Sequence, residues 1–83
     1  MTRVEMIERW LRDFAAQRLG IATDATFEYG RYASVLDTLI SQDDRESHCA
    51  KVLGIFCDDI TRDRTPGGVD CRREARTMVD YCR

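Results

Sequence analysis

Cys49, Cys57, Cys71, Cys82 and the single His48 are the residues whose types most readily do chemistry, as metal ligands, redox couples or nucleophiles. Their spacing does not suit zinc. Intervals of 8, 14 and 11 residues contain no C-x-x-C pair, and His48 directly precedes Cys49, so the two side chains point to different faces of a helix. No metal is expected. Four cysteines allow two disulfides in three connectivities. Arg3, Glu5, Glu8 and Arg9 stand where a signal peptide needs an uninterrupted apolar segment, so reduced thiols in a cytosolic or nuclear protein are expected.

The other catalytic candidates are no stronger. Asp43/Asp44 and Asp58/Asp59 are sequential pairs whose side chains diverge on a helix, which suits solvated helix ends rather than an acid/base dyad. Ser34, Ser41 and Ser47 have no histidine at a supporting spacing, and Gly67-Gly68 follows Pro66 without a P-loop lysine or a preceding strand. His48 lies at the edge of an apolar helical arc and reads as a boundary residue. Neither catalysis nor a cofactor is expected.

Binding chemistry is better represented. Twelve of the thirteen basic residues are Arg, whose planar fork suits bidentate contact with phosphates or carboxylates. Arg62 and Arg64 fall in one loop, and Arg72, Arg73 and Arg76 on one outer helical face. Asp63, Asp70, Glu74 and Asp80 alternate with them, whereas a phosphate-tracking surface is more one-sided. Any RNA or DNA binding is therefore expected to be weak. The net charge of −2 divides unevenly: residues 1–22 carry four Arg against three acids, residues 23–61 three bases against eight acids, and residues 62–83 six Arg against four acids. Such asymmetry can guide a partner.

These residues need helices to position them. Thr2-Arg3-Val4-Glu5 fits a capping box, and Val4, Ile7, Leu11, Phe14 and Ala15 then recur at helical spacing, with Trp10 and Leu19 at the margins of the stripe. Gly20 supplies a left-handed stop behind which Ile21 can fold back. After a short connection, with Thr23 or Asp24 as cap, Ala25, Tyr29, Tyr32, Ala33, Leu36, Leu39 and Ile40 share a face, and Gly30 predicts the close approach of another backbone. Phe27 projects toward the side of Arg31, Ser34 and Thr38; packing under the preceding loop is the preferred reading, an exposed aromatic contact the other.

Ser41 to Asp44 ends this helix and begins a third. There Cys49, Val52, Leu53, Phe56 and Ile60, flanked by Ile55 and Cys57, make an apolar arc of more than half the circumference. That helix should be central, with Cys49 and Cys57 as buried small hydrophobes. A mobile loop is expected at 61–69, and Asp70 caps a last helix whose Cys71, Ala75, Met78 and Cys82 share a face beside Val79. The reading is an all-α, compact four-helix bundle, with helices at about 3–19, 25–41, 45–60 and 71–82 in a single domain spanning 1–83. No segment alternates as a strand would, and no apolar run reaches the ~20 residues of a membrane span. A chain of this size buries only roughly 60 to 65% of its unfolded surface, so Trp10, Leu11, Gly20, Tyr29, Gly30, Tyr32 and Phe56 are read as its structural anchors.

At Arg9-Trp10-Leu11, Leu19-Gly20-Ile21 and Tyr29-Gly30-Arg31-Tyr32, with Val35, Leu36 and Leu39, the chain resembles the PWI family of helical domains found in RNA-processing factors. It is most similar to the divergent PWI-like domain at the N-terminus of the coiled-coil domain-containing protein forty-three family. Val52-Leu53-Gly54-Ile55-Phe56 extends the likeness, which covers roughly residues 8 to 60. The resemblance implies a four-helix bundle used for nucleic-acid or protein contacts in messenger-RNA processing or related assemblies. Two departures bear on the first of these: Arg9 stands in place of the family's Pro, and the lysine-rich flank used by nucleic-acid-binding members is missing. The expected function is thus a non-enzymatic interaction module with a protein partner. The alternative is direct, weak RNA or DNA binding through Arg62, Arg64, Arg72, Arg73 and Arg76, with Phe27 as a further contact.

Overall fold

The computed structural model describes residues 1–21 and 27–83. Four helices make up the regular structure of these residues: α1 (Arg3–Gln17), α2 (Tyr29–Ile40), α3 (Arg45–Thr61) and α4 (Cys71–Tyr81). The chain is all-α, as its periodicity predicts.

Thr2 caps α1 by accepting the Glu5 backbone N–H at 3.2 Å. The helix stops two residues short of the expected 19. Gly20 takes a φ of +65°, and the Ile21 N–H turns back to the Ala15 carbonyl at 3.0 Å, which packs Ile21 on the edge of the core. Leu19 is buried from beyond the helix end.

The second helix differs more, starting at Tyr29 instead of residue 25. A helical backbone through Phe27 would send its ring to the outer side with Arg31 and Ser34. The bend before α2 instead turns the ring inward, edge-on to Phe56 with centroids 5.7 Å apart. The expected caps Thr23 and Asp24, and Ala25, lie outside the described residues.

Asp44, at a φ of 55°, begins α3 without a side-chain cap bond. The far end of α3 closes on two left-handed residues, Arg62 and Asp63, as the Asp63 N–H reaches the Asp58 carbonyl at 2.8 Å. Through the first half of the following connection, Thr65 donates to the Asp58 carboxylate at 3.1 Å and the Arg64 N–H to the Thr61 hydroxyl at 3.2 Å. Asp70 then caps α4, accepting the backbone N–H groups of Arg72 and Arg73 at 3.1 and 3.3 Å.

Consecutive helices run antiparallel. Arg3 at the start of α1 bonds Asp37 and Ser41 at the end of α2, Tyr32 early in α2 bonds Asp59 late in α3, and Glu46 early in α3 pairs with Arg76 on α4. Ile7, Leu11, Phe14, Tyr29, Leu36, Leu53, Phe56 and Met78 fill the interior. Phe56 is its hub: Phe14, Phe27, Tyr29 and Tyr32 all place their rings within 5.4 to 6.1 Å of it. The third helix is central, as its wide apolar arc implies.

Candidate interaction surface

The arginines expected to form one contact face are distributed among acids. Arg62 and Arg64 stand exposed in the connection after α3, and Arg72 and Arg73 in the first turn of α4. Arg76 is held by Glu46, with Nε 3.3 Å and Nη2 3.5 Å from its two carboxylate oxygens. Arg72 and Arg83 border a shallow depression whose other walls are Asp44, Arg45, Glu46 and Ser47. Beside this face, Glu74 pairs with Arg18, the C-cap of α1, at 3.6 Å. The potential is therefore mixed over short distances, and a polyanion following this face would meet a carboxylate at each turn.

Phe27 belongs to the edge of the core. Its ring stacks on Tyr32 with centroids 5.6 Å apart and an 8° interplanar angle, and meets Tyr29 edge-on at 5.1 Å. Packing, not open aromatic contact, is its role.

The expected anchors divide. Leu11, Tyr29 and Phe56 are buried, and Tyr32 is half-buried in the aromatic cluster. Trp10 is also only half-buried. It stacks on Phe14 at 5.1 Å and lines a surface depression with Asp13, Arg18, Glu74 and Thr77, so it covers the α1/α4 seam and does not organise the core. Among the described residues, Gly30 has no backbone against it. A Cβ there would lie 3.7 Å from the Glu8 carboxylate, an ordinary contact, so the close backbone approach inferred from this glycine is not found among the described residues.

A different surface brings together two exposed aliphatic side chains. Between α2 and α3, Val35 is 47% exposed and Ile55 56%. They line a groove of about 300 Å³ with Tyr32 and Val52, bordered by Arg31 and Asp59. The signal was present in the third helix: an apolar arc wider than half a turn exceeds what two neighbouring helices cover, and Ile55 is the residue left over. At one end of the groove the Tyr32 hydroxyl donates to the Asp59 carboxylate. Burial, followed by that hydrogen bond and the nearby negative charge, pushes the phenol up to about 12. Arg31 reaches Glu28 at 3.8 Å.

The groove thus combines the exposed apolar side chains of Val35 and Ile55 with the hydrogen-bonded Tyr32–Asp59 pair and Arg31 at its rim. Among the described residues, no group of three or more His, Cys, Asp or Glu side chains is placed to hold a metal ion, and no helix is long and apolar enough to cross a membrane. Comparison with protein-family models, curated proteins and solved structures finds no match to the chain.

Proposed function

We propose that this chain is a non-enzymatic, PWI-like interaction module that engages a protein partner within an RNA-associated assembly. The observation that carries the reading is the exposed Val35/Ile55 pair lining the α2/α3 groove. Isolated apolar residues on a surface need no explanation, but two that share a groove with Tyr32 and Val52 make a cohesive apolar strip. Its occupant is an amphipathic helix of the partner, whose apolar side chains cover Val35 and Ile55. The motif order from Trp10 to Tyr32, with its likeness to a helical family of RNA-processing factors, supports the setting. The acids interspersed among Arg62, Arg64, Arg72, Arg73 and Arg76 favour a protein partner over direct nucleic-acid contact.

Co-purification from cells with mass spectrometry tests this, comparing the unaltered chain with the Val35→Asp/Ile55→Asp variant. RNA-processing proteins retained by the first and lost by the second are expected. RNA and DNA oligonucleotides titrated at moderate salt, read by amide shifts, supply the opposing outcome. Broad shifts confined to Arg64, Arg72, Arg73 and Arg76, with protein retention unchanged in the variant, would replace this reading by nucleic-acid binding.

A further inference from the structure

Pro66 is the chain's one proline, and it directly follows Thr65. A kinase site that offers no acceptor for the backbone N–H after the target hydroxyl accepts proline, which has none, and penalises every other residue. Thr65-Pro66 is therefore the chain's single match to proline-directed phosphorylation. The backbone supplies a second observation. In-line phosphoryl transfer needs a hydroxyl presented clear of neighbouring helical turns, and Thr65 lies outside any helix between exposed Arg64 and exposed Pro66. Pro66 also biases the residue before it toward extended backbone. The other serines and threonines among the described residues lie within helices or at their caps.

Thr65 fastens the connection that follows α3. Its hydroxyl donates to the Asp58 carboxylate at 3.1 Å and lies 3.2 Å from the Thr61 hydroxyl, whose own proton goes to the Cys57 carbonyl at 2.6 Å. Thr61 in turn accepts the Arg64 N–H. We propose that Thr65 is a phosphorylation site for a proline-directed serine/threonine kinase, and that its modification unfastens residues 62–66 from the end of α3. This inference is independent of the partner-binding groove. Thr65 is half-buried, so the kinase takes it when the connection opens. That opening breaks a few hydrogen bonds at the surface and leaves the core intact.

In the transfer, the Thr65 Oγ1 attacks the γ-phosphorus of ATP held with magnesium in the kinase. The new O–P bond forms as the bond from the γ-phosphorus to the β–γ bridging oxygen breaks. ADP leaves, and the hydroxyl proton passes to the kinase's base and then to solvent. Thr65 thereby loses the proton it donates to Asp58. In its place stands a group of about −1.5 to −2 charges, beside the Asp58 carboxylate and at the C-terminal end of α3, where the helix dipole is also negative. Both effects drive the phosphate outward. Arg62 and Arg64, exposed on the same connection, can pair with it there. A contact that held the connection becomes a repulsion.

The full chain, folded, is incubated with a mitogen-activated protein kinase and magnesium ATP, alongside a peptide of residues 60–70 as substrate control. Its intact mass should rise by one phosphoryl group. Fragment masses should place that group within tryptic residues 63–72, where Thr65 is the only hydroxyl side chain. Thr65→Val should take up none, and Pro66→Ala should be modified about tenfold more slowly. After modification, the Arg64 amide should exchange its hydrogen about tenfold faster, while the amides of Leu53 and Phe56 in the core keep their rates. No uptake by the folded chain while the peptide is modified, phosphate on another residue, equal uptake by Pro66→Ala, or unchanged Arg64 exchange in the phosphorylated chain would overturn the proposal.

Discussion

Tyr32 on α2 and Asp59 on α3 are joined by a hydrogen bond from phenol to carboxylate at the rim of the apolar groove. The bond requires a neutral phenol, and burial together with Asp59 raises the Tyr32 pKa from 10.0 to about 12. The unfolded chain therefore gives up this proton first as pH rises. The stabilisation is complete below pH 10 and is lost progressively as pH climbs from 10 to about 12. Tyr32→Phe should lower stability at pH 8 and flatten this part of the pH profile, as measured by urea denaturation at stepped pH. An unchanged alkaline slope in the variant would assign the loss elsewhere. Cys57, also raised to about 12 from 9.0, adds a parallel decline that starts one unit lower and that Cys57→Ala would remove.

Phe56 and Trp10 should differ sharply on truncation. Phe56 is fully buried with four aromatic neighbours, so Phe56→Ala is expected to cost about 3 to 5 kcal/mol. Trp10 is half-buried and stacks on one ring, so Trp10→Ala should cost about 1 to 2 kcal/mol. Chemical denaturation of the two variants decides the order, and equal losses would restore Trp10 as a core anchor.

That contrast marks how far the sequence could be read. Helical periodicity carries the phase of each stripe, so Ile7, Leu11, Phe14, Leu36, Leu53 and Met78 were legible as core, and Thr2, Gly20 and Asp70 as helix ends. Periodicity does not say where helices meet, so the rarest residue, Trp10, stood out although it sits on the margin of its stripe. The start of α2 was misplaced for a related reason. Spacing alone extends the helix back to Ala25, while contact with Phe56, remote in sequence, is better served by an unwound Phe27. The groove between α2 and α3 is likewise a property of the assembled bundle, hinted at only by the excess width of the third helix's apolar arc.

Gly54 lies inside α3, and a Cβ built there meets nothing within 4 Å among the described residues. Gly54→Ala should thus stabilise the fold by about 1 kcal/mol through helix propensity. Gly30→Ala should give a smaller gain, because Gly30 is in the first turn of α2 and the new methyl would touch the Glu8 carboxylate at an ordinary 3.7 Å. Thermal melts suffice to check both. A loss at Gly30 would revive a close-packing role for that glycine.

The Tyr29 hydroxyl is buried without a hydrogen-bond partner among the described residues, although its ring is packed on all sides and carries the Arg12 guanidinium 5.0 Å from its centroid. An unpaired buried hydroxyl opposes folding, and the ring contacts survive its removal. Tyr29→Phe should leave stability unchanged or raise it by up to about 1 kcal/mol. A loss greater than that in urea denaturation would reveal a bonded hydroxyl.

Ile55 and Val35 present more of their side chains to solvent than any core residue does, so the bundle should not depend on them. Val35→Gln and Ile55→Gln, singly and together, should each change stability by no more than about 0.5 kcal/mol, in keeping with surface substitutions elsewhere. That near-neutrality gives the binding test its force, because loss of a partner in the Val35/Ile55 variants then reports the groove and not the fold. Amide spectra of the double variant should superimpose on those of the unaltered chain except around the groove, at Arg31, Tyr32, Val52 and Asp59. Wider changes, or a stability loss above about 1 kcal/mol, would mean that these side chains hold α2 against α3 and that the apolar strip is part of the core.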